Sequence, residues 1–430
     1  MNNCTTICPL PWNHISIQQN GDFRICCQQV FEPYGKMISN GEVLNIKNST
    51  IDTARNHPTM KEVRASMLAG QEHPLCKLCY KDDALGLSSK RKHMLQWYNT
   101  SAFHDTTTPD GTIDTSMYPV VYFDIRFGNL CNLKCRYCGP ADSSLWYEDF
   151  VKLVSDNDTT DLSFYGSKTY TISQKNNKWD VNSTDFEWYD DENFWTQIEK
   201  IIPFTDRYYF TGGEPTINKS HFRLIELIIK LGHSKNVVLE YNSNMVAVPN
   251  KLYEYWQEFR TVNIAGSVDG IGDMATYLRP PAKWSVIEAN LNTLGMCGID
   301  SVRGSVQSTI SVYNVLHFLD IVKWLSTKQY SNIKAWPGYH MLEGPEFMNI
   351  QVLPMHLKLF VKQKYDEFFD SMQPTHNNFF RLKYSGIIAH MFNKDLSESL
   401  PLLKLSTTRL DSIRNQTMPA EIEWLRELLV

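Results

Sequence analysis

From residue 120 onward, short apolar runs alternate with longer stretches in which apolar residues recur every three or four positions. The runs at 120–127, 208–210, 237–241, 262–267 and 302–310, with a weaker one near 333–340, read as buried strands. Between them, 145–153, 221–231, 252–259, 285–295 and 316–324 carry the helical period. Six such strands alternating with five helices predict an α/β domain built on a parallel sheet. Upstream, 15–18 and 23–26 alternate like two strands joined by a tight turn at Asn20-Gly21-Asp22. The spacing over 49–68 predicts helix ending at Gly70 as a C-cap. From 351 to 430 the pattern is helical.

Two polar stretches interrupt this order. Residues 104–116 are Thr-rich and contain Pro109 and Gly111, which places a boundary there. Residues 156–191 are Asn-, Asp- and Thr-rich and long for a strand-to-helix connection, so they read as an insertion. Asp191 then starts a helix running to Ile201. The expected organisation is a small α+β domain over 1–103, a linker over 104–116, an α/β domain over 117–345 and a helical region over 346–430.

A chain of 430 residues with 42% hydrophobic and 21% charged residues is an ordinary globular protein. Its net charge of −5 offers no basic footprint, so a nucleic-acid partner is not indicated. There is no charged segment followed by an apolar one at the start and no apolar run long enough for a membrane span. We therefore expect a reducing cytoplasm and no membrane partner. Nine of the ten cysteines lie at or before Cys138, and in that setting clustered cysteines read as metal ligands rather than disulfides. Cys297, alone in a helical pattern, reads as a core thiol.

The chemistry is concentrated in Cys131-x3-Cys135-x2-Cys138, just after the first strand of the α/β domain. Three thiolates are one short of a closed tetrahedral site, and an incomplete ligand set marks a catalytic metal rather than a structural one. A zinc site or three core thiols are the alternative readings of these residues. With the aromatic Tyr137, this loop resembles the cluster loop of radical S-adenosylmethionine enzymes. That resemblance implies a partial (β/α)6 TIM-type barrel. It also implies a [4Fe-4S] cluster on Cys131, Cys135 and Cys138, whose open iron binds S-adenosylmethionine. Reductive cleavage of that cofactor would yield a 5′-deoxyadenosyl radical that takes hydrogen from the substrate.

The same resemblance extends along the barrel. Gly212-Gly213-Glu214 after the second strand is similar to the family's GGE motif, which implies that Glu214 meets the methionine ammonium. Asn242-Ser243-Asn244 ends the third strand where the family often binds ribose. Ser267-Val268-Asp269-Gly270 with Arg279 resembles the pattern of members that modify peptides, which implies that Ser267 and Arg279 hold the methionine carboxylate. Asp124 and Arg126 share one strand face and read as an ion pair. Trp336, Tyr339 and His340 could line a substrate mouth or the core, and His340 is a candidate proton donor.

The first hundred residues carry Cys4, Cys8, Cys26, Cys27, Cys76 and Cys79. Cys8, Gly21 and Cys26 at their spacing, with Arg64, Gly70 and Cys76-x2-Cys79, resemble a twitch domain, the short form of the SPASM domain. That implies an auxiliary [4Fe-4S] cluster on Cys8, Cys26, Cys76 and Cys79. Cys4 and Cys27 leave the fourth ligand open, a four-cysteine zinc site remains the competing reading, and the module precedes the barrel rather than following it. Together the resemblances imply a radical enzyme acting on a peptide or protein, with an electron donor such as flavodoxin or ferredoxin. A small-molecule dehydrogenase and a non-catalytic iron–sulfur sensor are the alternatives.

Overall fold

The computed structural model describes residues 6–29, 36–84, 89–155, 172–175, 178–181, 186–372 and 374–429. The N-terminal hairpin forms as β1 (His14–Ile17) and β2 (Phe23–Arg24), antiparallel, with Gly21 at φ +83° taking a turn that L side chains disfavour. The expected strands of the α/β region follow as β3 (Tyr122–Ile125), β4 (Arg207–Phe210), β5 (Val238–Ser243), β6 (Thr261–Ser267), β7 (Val302–Ile310) and β8 (Gly338–Met341). The last starts later than its apolar run, because Ile333 makes only an isolated bridge to Gly304.

The chain forms two compact units. The first comprises Met1–Asn129, Asp185–Tyr241 and Tyr253–Val262; the second comprises Leu130–Thr184, Asn242–Leu252 and Asn263–Val430. In the first the strands lie in the order β2-β1-β3-β4-β5. β1 runs parallel to β3, His14 opposite Tyr122 through Ile17 opposite Ile125, so the N-terminal hairpin extends the same sheet. All four β1 residues are buried, as a strand with a neighbour on each side requires. β3, β4 and β5 pair in parallel. In the second unit the order is β6-β7-β8, and buried positions alternate strictly along β7. The eight strands are mostly parallel, which is the α/β partial-barrel class expected. A helical C-terminal region follows, with helices Met355–Asp370, Pro374–Asn393 and Leu400–Arg414.

Other elements match their sequence signals in type. The 49–68 stretch forms two helices, Ile51–Arg55 and Pro58–Leu68, and Gly70 has φ +72°. Asp191 caps the helix Glu192–Ile201 by accepting from the Asn193 N–H at 2.8 Å. Within the expected insertion, Ile172–Lys175 and Lys178–Val181 pair as a hairpin and Trp188–Asp190 form a 3-10 turn, while 156–171, 176–177 and 182–185 lie outside the described residues. The 104–116 stretch packs into the first unit. The buried Arg64 donates to the carbonyls of Pro11, Arg55 and Gly111 at 2.6–2.9 Å. A Cβ on Gly111 would sit 2.0 Å from the Lys61 carbonyl. Removing Arg64 would strand three carbonyls at about 1–3 kcal/mol each. Cys297 does not behave as the core thiol expected. It follows the end of the helix Trp284–Gly295, whose buried stripe stops short of it, and is partly exposed. Among the described residues, no helix is long and apolar enough to cross a membrane.

Aromatic rings and neutral histidines fill the first unit. His221 is fully enclosed between Phe210 and Tyr241, and its Nε2 shares a 2.9 Å hydrogen bond with the Tyr241 hydroxyl. Burial lowers its pKa to about 3, and burial together with the Lys90 charge does the same to His14. The folded state therefore refuses protons that the unfolded chain accepts below pH 6.5. Stability from each histidine is complete above pH 6.5 and is lost as pH falls toward 3, at about 1.4 kcal/mol per unit. His221→Gln is expected to flatten the fall of denaturation midpoint between pH 6.5 and 4 by that slope. An unchanged slope would show that His221 protonates freely in the folded protein.

Candidate functional site

In the second unit, the loop carrying Cys131, Cys135 and Cys138 has almost no regular structure, so each backbone polar group needs a partner from elsewhere. The Lys134 and Arg136 N–H groups donate to the carbonyls of Pro280 and Leu278 at 2.7 and 2.9 Å. Trp146 Nε1 donates to the Cys135 carbonyl at 2.9 Å, and Ser143 Oγ to the Leu133 carbonyl at 2.6 Å. The Cys135 thiol is held below its ordinary value by a hydrogen bond from Cys138, with the Arg279 charge adding to it.

The polar ends of β5 and β6 belong to this unit too. Asn244 Nδ2 donates to Asn132 Oδ1 at 2.6 Å and lies 3.9 Å from Cys131 Sγ. Ser243 Oγ and Asn244 Oδ1 also accept from the N–H groups of Met245 and Val246, closing a turn in which Met245 takes φ +60°. Asn242 is exposed and Ser267 is half-buried. Arg279 is buried, not a surface arginine: its Nε donates to Asp269 Oδ2 at 2.5 Å, and its guanidinium lies 5.7 Å from the Tyr137 ring. Asp269, wholly buried, is fixed in turn by the Thr309 N–H at 2.6 Å. The same residue in the sequence motif gave no sign that it would be the partner of Arg279.

Gly212, Gly213 and Glu214 lie in the first unit. Gly212 has φ +101°, and a Cβ there would sit 2.8 Å from the Arg126 side chain. Only glycine meets both demands. Glu214 is 2% exposed, and its Oε1 accepts from Thr216 through the N–H at 3.2 Å and the hydroxyl at 2.7 Å. The Asp124–Arg126 pair forms at a long 3.8 Å, and Ser16 Oγ donates to Asp124 at 2.9 Å. In the second unit, Trp336 packs on Phe380, and Tyr339 on Tyr384 while donating to the Lys383 carbonyl at 3.3 Å. Both are half-buried against the Pro374–Asn393 helix. His340 is exposed on β8.

The auxiliary cysteines also lie in the first unit. Cys8, Cys26, Cys76 and Cys79 line one cavity with Leu10, Ile25, Met67, Lys90 and Arg91. Cys27 is not among its walls, although burial raises its thiol and the charges acting on it include Cys79 as well as Asp124, Lys90 and Arg126. Cys4 lies outside the described residues. Burial raises the thiols of Cys8, Cys26 and Cys79 and pushes Cys76 up to about 12. Such thiols ionise only when a metal displaces their protons. Lys90 and Arg91 come from a separate helix, Lys90–Leu95, and no local pattern links them to the cysteines. A soft, four-thiol, largely apolar cavity with two cations at its wall fits an iron–sulfur cluster, which carries net negative charge. Among the described residues, no three His, Cys, Asp or Glu side chains converge on a single metal ion. A four-iron cluster needs no such convergence, because each thiolate meets its own iron.

Residues 125–323 match the Radical SAM superfamily, and residues 8–80 match an iron-sulfur cluster-binding domain, SPASM. No curated protein matches the chain. Among solved structures, a histidine-tagged anSMEcpe with bound AdoMet is 13% identical with a TM-score of 0.37, covering 62% of this chain and 61% of that one. Native anSMEcpe with bound AdoMet and the Cp18Cys peptide is 14% identical at TM-score 0.37, covering 63% of this chain and 61% of that one. SuiB of Streptococcus suis bound to precursor peptide SuiA is 12% identical at TM-score 0.29, covering 61% and 53%. The chain thus spans about three fifths of the length of the first two structures.

The cavity lining separates Cys26 from its neighbour. Cys26→Ala is expected to remove the iron of the N-terminal unit, about four atoms per chain, while Cys27→Ala keeps it. Metal analysis of anaerobically purified variants reads the difference, and iron lost from Cys27→Ala but kept in Cys26→Ala would exchange the two roles.

Proposed function

We propose that this chain, which carries a radical SAM domain and a SPASM-type iron–sulfur cluster-binding domain, is a cytoplasmic radical enzyme acting on a peptide or protein. The observation that carries this reading is the cluster loop. Three thiols on one short loop, with the backbone of Leu133, Lys134, Cys135 and Arg136 held by partners, form a donor set one ligand short of a closed [4Fe-4S] site. When bound, that cluster and S-adenosylmethionine supply the electron and the adenosyl radical that removes a hydrogen atom from substrate.

The chain's own residues do the holding. Cys131, Cys135 and Cys138 would hold the cluster through three of its irons, the fourth being open to the cofactor. Asn244, 3.9 Å from Cys131 Sγ, brings an amide N–H toward a ligand sulfur, where donors raise the potential of a cluster. Glu214 is the acceptor for the methionine ammonium. Arg279, braced by Asp269, and Ser267 in the same motif would hold the methionine carboxylate. A guanidinium already braced on one carboxylate needs little further ordering to meet another. Asn242, Ser243 and Asn244 form the polar end of β5 that faces ribose in this reading. Cys8, Cys26, Cys76 and Cys79 hold a second four-iron cluster with no open iron. The Ser267-Val268-Asp269-Gly270…Arg279 pattern supports a peptide substrate over a small polyol. The electron donor is a flavodoxin or ferredoxin.

Anaerobically reconstituted protein reduced with dithionite is expected to convert S-adenosylmethionine slowly to 5′-deoxyadenosine and methionine without substrate. Chromatography of the products reads this directly. If wild type forms no more 5′-deoxyadenosine than Cys135→Ala, the catalytic assignment fails.

A further inference from the structure

The backbone around Cys135 is tied, through side chains, to a helix more than 260 residues away. On one side, Arg136 is wholly buried. Its Nε donates to the Tyr277 carbonyl at 2.9 Å, and its guanidinium lies 3.6 Å from the Tyr277 ring. Its Nη2 pairs with the Asp411 carboxylate and donates to Gln416 Oε1 at 3.0 Å. Tyr277 returns a hydrogen bond to Asp411 Oδ2 at 3.2 Å. On the other side, Lys134 Nζ meets Asp149 Oδ1 at 2.8 Å, and Arg414 Nε meets Asp149 Oδ2 at 2.7 Å. Asp149 is 1% exposed. The Arg414 guanidinium lies 4.5 Å from the Trp146 ring, whose Nε1 holds the Cys135 carbonyl. Asp411 and Arg414 are one turn apart near the end of the Leu400–Arg414 helix. That helix lies outside the 125–323 match.

We propose that the Leu400–Arg414 helix is a positioning element for the cluster loop: Asp411 through Arg136, and Arg414 through Asp149 and Trp146, hold Lys134, Cys135 and Arg136 in the conformation that aims the thiols. The proposal rests on the reading that these cysteines bind a cluster. Its physical basis is that a buried charge cannot stand without its partner. Arg136 is held in the interior by the Asp411 carboxylate, and Asp149 by two cations of which one belongs to the helix. If either partner is removed, a desolvated charge is left unpaired, and the strain falls on Arg136, next to Cys135 in the chain, or on Asp149, which holds Lys134. These residues touch no reacting atom; they act through the loop. The C-terminal region is thereby part of the cofactor site's support rather than an appendage, and second-layer partners of this kind change metal affinity about 10–100-fold.

The test compares wild-type holoprotein with Asp411→Asn and Asp411→Glu. Reduced protein is exposed to an iron chelator, and EPR follows two signals: one that changes on adding S-adenosylmethionine and one that does not. In Asp411→Asn the responsive signal is expected to decay about tenfold faster than in wild type, and its line shape to change. The unresponsive signal should decay at the wild-type rate, and Asp411→Glu should restore slower loss. Should Asp411→Asn fail to fold, Arg414→Gln, which leaves the buried Asp149 one cation short, carries the same comparison, with fast loss supporting the proposal. Equal decay of the responsive signal in wild type and the charge-removing variant overturns it. A wild-type protein with no responsive signal overturns it at its premise, and that outcome is distinct because it precedes any variant.

Discussion

Every feature of the second unit's site depends on holding an irregular loop still. Three thiols within eight residues cannot be spaced by secondary structure, because helix and strand would point them along fixed, incompatible directions. The loop borrows its order instead. Two backbone N–H groups find carbonyls at 278 and 280, one carbonyl finds Trp146, and the side chains of Lys134 and Arg136 find the carboxylates of the buried Asp149 and the half-buried Asp411. Removing a single neutral hydrogen bond here would cost about 1 kcal/mol, whereas stranding the Arg136 charge costs several. The ionic partners therefore decide the loop's conformation, and the neutral ones refine it.

The first unit solves a similar problem with burial. Its four cavity cysteines come from three separate segments of chain, so a fold must bring them together before a metal can bind. The raised thiols show the consequence: without metal they stay protonated and apolar, and metal entry drives out protons against that cost. β1, which lies between Cys8 and Cys26 in the chain, fixes these segments by pairing with β3. Burial of Arg55 and Arg64 against main-chain carbonyls ties the 104–116 stretch into the same unit.

The strands after residue 120 were legible because their apolar runs are short, separate and followed by amphipathic helices. So was the turn at Gly21, since its chemistry is local. The pairing of β1 with β3 was not legible, because nothing in 14–17 says which edge it will meet. The cluster cysteines, the GGE turn and Arg279 stood out as motifs, yet the carboxylate that holds Arg279 emerged only from the fold. The ion pair between Arg136 and Asp411 spans 275 positions, and no periodicity carries information over that distance. Cys297 misled for the opposite reason: the helical period continues through it while the helix itself ends first.

The central claim is that one chain holds two chemically distinct clusters, one open and one closed. Mössbauer spectroscopy with metal analysis of the Cys131→Ala/Cys135→Ala/Cys138→Ala triple variant tests it most directly. The account predicts about half the wild-type iron, near four atoms per chain, in a single [4Fe-4S] species that does not respond to S-adenosylmethionine. Zinc in its place, or no metal at all, would contradict it.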